Sequence, residues 1–166
     1  MSRYAELAGK VDGFFARVAD RHGADMQCAS GCSDCCAAGL TITGVEADAI
    51  RAAVAGWEAD RRADLARVQR VGCAALDAQG RCRIYDARPI VCRSHGAPIR
   101  LRSPGALPVV QACEKNFRAT TPDADCVLDQ TTLSAMTLAV DQDFRQDAGG
   151  AGERTAIAEL LAQLAR

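Results

Sequence analysis

The stretch Cys28-Ala29-Ser30-Gly31-Cys32-Ser33-Asp34-Cys35-Cys36 places four cysteines in nine positions. Small and polar residues fill the gaps, so it lacks the large apolar side chains of a core segment and reads as a tight loop. Cys-x3-Cys and Cys-x2-Cys spacings let one loop turn several sulfurs towards one point. Gly31 lets backbone N–H groups face the thiolates and offset their charge. Metal binding is the chemistry that uses such an arrangement. The adjacent pair Cys35-Cys36 is the awkward part. Neighbours in an extended segment point opposite ways, so either the two thiols serve two sites or one binds metal while the other packs.

Outward from this loop, Cys73, Cys82, Cys92, Cys113 and Cys126 bring the total to nine. An odd number cannot pair fully within one chain. The first twenty residues mix charges with apolar residues and contain no continuous hydrophobic region. They do not read as a secretory signal, and no other stretch is apolar enough to span a bilayer. A cytoplasmic protein is expected, in which reduced thiols serve metal or redox chemistry before disulfides. Lys and Arg number 20 against 21 Asp and Glu, with no basic run, so neither nucleic acid nor a membrane surface is an expected partner. Aromatic residues are few (four Phe, two Tyr, one Trp), which leaves the core of this 166-residue chain to Ala, Leu, Val and Ile.

Apolar spacing predicts four helical stretches. Tyr4, Leu7, Val11, Phe14 and Val18 mark the first, with Gly23 past its end and His22 placed to interact with the helix dipole. The second opens on a capping box, Thr43 with Glu46, continues through Ile50, Val54, Trp57, Leu65 and Val68, and closes at Gly72. The third follows Pro122-Asp123, with Leu133, Met136, Val140 and Phe144 on its buried side. The last runs from Glu153 with Ile157, Leu160, Leu161 and Leu164 on one stripe, which could dock on its own domain, on a protein partner or on a second copy. Residues 72–121 are expected to be irregular, with at most short strands near Cys82–Tyr85 and Leu107–Val110, and a loop this long needs something to hold it. The predicted fold is mainly α: helices around an irregular, cysteine-rich metal-binding region. A single domain is expected over residues 1–148, with a glycine hinge at 149–152 leading to the C-terminal helix.

Several of these pieces, in order, resemble a known family. Gly31-Cys32-Ser33-Asp34-Cys35-Cys36 is followed by Leu40-Thr41-Ile42-Thr43 and Glu46, then Cys73 with Leu76, and Gly80. Cys82-Arg83-Ile84-Tyr85, Arg88-Pro89, Cys92-Arg93 and Cys113 complete the series. Together they resemble the YkgJ-type cysteine-cluster proteins, the CxxCxxCC zinc- or iron-chelating domain found widely in bacteria, over about residues 28–117. The resemblance implies eight candidate ligands: Cys28, Cys32, Cys35, Cys36, Cys73, Cys82, Cys92 and Cys113. They fill two four-thiolate sites, or one cluster site plus a smaller or partly structural one. Cys28 stands three residues from Cys32 where the family pattern has two. Cys126 falls outside the pattern and is expected to pack.

Around the ligands, Arg88 and Arg93 are candidates to offset thiolate charge, and His95 offers a nitrogen ligand or a proton. Three close thiols plus a remote fourth resemble iron–sulfur spacing more than the paired knuckles of structural zinc, so an iron–sulfur cluster is slightly favoured over zinc. The expected function is a metal-binding cysteine-cluster protein. Alternatives are a redox protein or enzyme with an open iron position, and a metal storage or delivery protein.

Overall fold

The computed structural model describes residues 2–67, 72–148 and 153–166. Val68 and the 149–152 hinge lie outside them. Among the described residues the fold is mainly α, with six helices and five short strands. In chain order these are α1 (Arg3–His22), β1 (Thr41–Ile42), α2 (Gly44–Ala55), α3 (Ala59–Ala63), α4 (Ile90–Ser94), β2 (Ile99–Leu101), β3 (Val109–Gln111), β4 (Leu128–Asp129), α5 (Gln130–Ala148), β5 (Thr155–Ala156) and α6 (Ile157–Leu164). The chain forms two compact units, Met1–Cys28 with Ile90–Ala139, and Ala29–Pro89 with Val140–Arg166.

In the first unit, Ser2 caps α1 by accepting from the Ala5 N–H at 3.2 Å, and Tyr4, Leu7, Val11, Phe14 and Val18 are all buried, as their spacing predicts. α1 packs on α4, which the sequence reading missed: five residues between Pro89 and Gly96 are too few to display a helical period. Arg93 on α4 is buried and pairs with Asp12 on α1. β2 pairs antiparallel with β3 and parallel with β4. Phe14, Val18, Ala97 and Cys126 form a small core, so Cys126 packs as expected.

The second unit has the larger core, with Ile42, Ile50, Val54, Leu65, Ile84, Ile157, Leu160 and Leu161 at its centre. The capping box of α2 forms, with Glu46 Oε2 accepting from the Thr43 N–H at 2.9 Å. Asp141 on α5 adds a second carboxylate there, accepting from the Val45 N–H at 3.0 Å. The predicted long second helix is instead broken: Gly56 ends α2, and α3 begins after Glu58. The last helix begins later than predicted, because Thr155–Ala156 first pair with β1. Its Ile157, Leu160 and Leu161 are buried within this unit, one of the docking options the stripe allowed.

Three further expectations fail. α5 starts at Gln130, and the residues after Asp123 form only a 3-10 turn, Ala124–Cys126. Met136 is 43% exposed rather than buried, and Leu138 beside it is exposed too. Cys82–Tyr85 is no strand: Cys82 makes a single bridge to Leu76, after which Tyr85–Ala87 turn as a 3-10 helix. The strand near Leu107–Val110 exists but is shifted to Val109–Gln111.

Candidate metal centre

All nine cysteines are free. Of the eight candidate ligands, Cys32, Cys35, Cys36, Cys73 and Cys82 belong to the second unit, and Cys28, Cys92 and Cys113 to the first.

In the second unit the cysteine loop is folded by its own turns. The Cys32 N–H donates to the Ala29 carbonyl at 3.0 Å and the Cys36 N–H to the Ser33 carbonyl at 2.8 Å. Gly31 has φ +88°, a left-handed conformation that glycine adopts without strain. The loop lies on the turn around Gly80 (φ +73°), where a Cβ would come within 3.0 Å of the Gly31 carbonyl oxygen and 3.2 Å of Ser33 Oγ. Next, the Cys73 N–H donates to the Cys36 carbonyl at 2.9 Å, and the bridge between Leu76 and Cys82 brings the last thiol alongside.

Charge acts between several of these thiols. Burial pushes the Cys36 thiol up to about 12, helped by negative charge on Cys35, Cys73 and Cys82 and by a hydrogen bond with Cys35. Burial also raises Cys82, with Cys73 adding to the effect, while the Ile84 N–H and the Arg88 guanidinium act the other way. Cys35, Cys73 and Cys82 thus lie near enough to Cys36 to act on its charge, with Cys35 in hydrogen-bonding reach of it. Among the described residues, however, no three of the candidate thiols bring their sulfurs within 4.8 Å of one another. The extended geometry assumed for Cys35 and Cys36 does not hold, because the chain turns at Ser33–Cys36 and the Ala37 N–H donates to the Cys35 carbonyl at 3.1 Å. The Arg88 guanidinium, which acts on Cys82 from nearby, is stacked 3.6 Å from the Tyr85 ring centroid. Cys36 and Cys82, whose thiols resist ionisation with other cysteines nearby, fit a metal cation that offsets their charge and takes the place of their protons.

The first unit holds its thiols differently. Asn116 is 5% exposed and forms a polar hub: its Nδ2 donates to Cys28 Sγ at 3.3 Å and to the Gly96 carbonyl at 2.8 Å, and its Oδ1 accepts from the Gln27 N–H at 2.8 Å. Its own backbone N–H donates to the Cys113 carbonyl at 2.8 Å, which links two candidate ligands through one residue. Gly96 has φ +94°, and a Cβ there would stand 2.6 Å from Cys28 Sγ, so only glycine leaves room for the thiol. Cys92 is on α4, and His95 follows it. His95 Nδ1 lies 2.6 Å from the Val91 carbonyl, which can only accept, so Nδ1 carries the proton and Nε2 keeps its lone pair. An open cleft beside Cys113 is lined by Glu114, Asn116, Phe117 and Thr120. Arg93 is engaged with Asp12 on α1.

Three residues that the sequence reading left out of the metal chemistry also meet in this unit. His22, Asp123 and Cys126 present ligand atoms within 4.8 Å of one another. About a hundred residues separate His22 from the other two, and no motif spacing joins them.

Residues 27–128 match the family model "CxxCxxCC: Putative zinc- or iron-chelating domain". No curated protein and no solved structure matches the chain. No described helix is long and apolar enough to cross a membrane.

Proposed function

We propose that this chain, which belongs to the CxxCxxCC family of zinc- or iron-chelating domains, holds one zinc ion on Cys35, Cys36, Cys73 and Cys82. It is a metal-binding cysteine-cluster protein, and the proposal concerns which metal and which thiols. The observation that carries it is the placement of the other three thiols around Cys36. Cys35 is in hydrogen-bonding reach of it, the Cys73 N–H donates to its carbonyl, and the Leu76–Cys82 bridge brings Cys82 alongside. Metal binding has only to draw the sulfurs together. Thiols within hydrogen-bonding reach of each other match neighbouring corners around a single ion with metal–sulfur bonds of about 2.3 Å. A cubane cluster instead spreads its cysteines over separate irons. Arg88 offsets the remaining negative charge from outside the ligand set. Cys28, Cys92 and Cys113, with His95 Nε2 as the fourth donor, are the proposed ligands of a second site within the first unit, positioned by Asn116.

Bound metal here is structural. Cys36 is bonded to Cys73 through the backbone, and Cys73 and Cys82 flank one turn, so filling the site fixes segments with little regular structure of their own. Structural thiolate zinc contributes on the order of 10 kcal/mol of folding free energy. Reduced thiols require a reducing compartment, which supports the cytoplasm as the place of action.

The cleft beside Cys113 favours a second reading, in which metal in the first unit acts on a small molecule. Absorption and elemental analysis of protein purified without oxygen test both. Colourless protein carrying zinc supports the structural reading. Brown protein with iron and acid-labile sulfide overturns the choice of zinc and turns attention to redox chemistry.

A further inference from the structure

We propose that His22, Asp123 and Cys126 form a separate binding site for a divalent transition-metal ion of the zinc class, with one coordination position left open to solvent. All three residues lie in the first unit, at the end of α1 and in the 3-10 turn before β4. Nitrogen, oxygen and sulfur donors in one set are what zinc accepts, and three protein ligands leave a tetrahedral ion one exchangeable position. Their ligand atoms already lie within 4.8 Å of one another, and His22 Nε2 stands 3.4 Å from Asp123 Oδ2.

The hydrogen bonds around His22 assign its ring nitrogens. The Asp123 N–H donates to Nε2 at 3.5 Å, so Nε2 holds a lone pair and Nδ1 carries the proton. That proton faces Asp25 Oδ2 at 3.8 Å. A carboxylate behind the protonated nitrogen, with the other nitrogen held only by a long 3.5 Å contact from the Asp123 N–H, resembles the arrangement that orients metal-ligating histidines. Phe117 fixes the ring from one side, edge-on with centroids 5.2 Å apart, and itself takes the unusual φ of +52°.

His22 Nε2 faces a carboxylate oxygen beside a buried sulfur. Three electron-rich atoms meet, and a cation resolves their repulsion. The surrounding charge agrees. Asp25, Asp123 and Asp125 gather here, and Arg21 is tied to Asp125 at 2.6 Å, with its Nη1 3.9 Å from Cys126 Sγ. The same Nη1 stands 4.0 Å from Asp123 Oδ2, so Arg21 already offsets charge on two of the three donors, and a metal ion has to displace it from them. An ion pair between a protonated His22 and the two aspartates is the competing account, and it binds no metal.

The test is zinc binding to the full chain, by dialysis against zinc ions alone followed by elemental analysis. His22→Gln should lose about one zinc ion per chain, since a three-ligand site rarely survives loss of a ligand. Asp25→Asn, which alters only the residue behind the ring, should weaken that ion by about 10–100-fold. Cys36→Ser should leave this ion in place, which separates the site from the four-thiol group. Cys126→Ser removes a buried sulfur and could unfold the unit, so His22→Gln and Asp25→Asn decide. A His22→Gln protein that keeps the full zinc count at unchanged affinity overturns the proposal in favour of the ion pair.

Discussion

The two units hold cysteines by opposite means. In the second, the thiols stand on an apolar core: Cys73 belongs to it, Cys36 and Cys82 pack against it, and burial is the leading reason that Cys36 and Cys82 resist ionisation. In the first, the core around Phe14, Val18, Ala97 and Cys126 is small, and the candidate ligands Cys28 and Cys113 are tied by Asn116 instead. A thiol on an apolar floor depends on its partners and its metal to balance charge. A thiol held by an amide is positioned before any metal arrives. The second unit therefore gains more from metal, and the first is more sensitive to changes in its polar scaffold.

Breaking the second site should have the largest effect. Cys36→Ser or Cys73→Ser should abolish the zinc bound there, with a loss on the order of 10 kcal/mol of metal-linked stability. Hydrogen exchange should then show residues 29–36 and 72–83 opening while α2 and α6, which share the large core, stay protected. Equal loss of protection across both regions would show that the core does not stand without metal.

In the first unit, Gly96→Ala should destabilise by about 3 kcal/mol in urea denaturation, combining left-handed strain with a clash against Cys28. Gly105→Ala is the control: φ is +74° but nothing lies within 4 Å, so only the backbone strain of about 1 kcal/mol applies. Asn116→Ala should lower metal affinity at the Cys28 site by about 10–100-fold, read by competition with a chelator, and leave the second unit's metal untouched.

The smallest effect is on pH. The folded Cys36 thiol sits at about 12 against an ordinary 9.0, so the folded state holds this proton more tightly than the unfolded state. Its contribution is complete below pH 9 and is lost as the pH climbs towards 12. Metal-free protein should therefore weaken modestly over that window, since the thiol is only half-buried and solvent screens it. With zinc bound the dependence reverses at low pH, where protons compete for the thiolates and release the ion. Thermal melts of metal-free and zinc-loaded protein across pH check both signs.

What the sequence made legible follows from length and periodicity. α1 and α6 were readable because their apolar stripes persist over whole turns, and α2 because Thr43 and Glu46 announce its start. α4 and the two- and three-residue strands were not, since a period needs more residues than they have. The break at Gly56 was hidden because Trp57 and Leu65 continue a helical spacing by coincidence of turn lengths. At the site, the cysteines were legible as candidate ligands, and which of them lie near one another was not. The meeting of Cys35 with Cys36 depends on a turn that the extended-chain argument ignores, and the approach of Cys73 and Cys82 depends on the hairpin-like bridge at Leu76. The His22, Asp123 and Cys126 trio is a product of tertiary folding alone, since its members share no local pattern.

X-ray absorption at the edge of the bound metal tests the central claim most directly. The account predicts zinc with a dominant sulfur shell at about 2.3 Å and no neighbouring metal scatterer. That sulfur signal should diminish in Cys36→Ser. Iron with a metal–metal scattering path would contradict it, and would show that these thiols hold a cluster rather than a single ion.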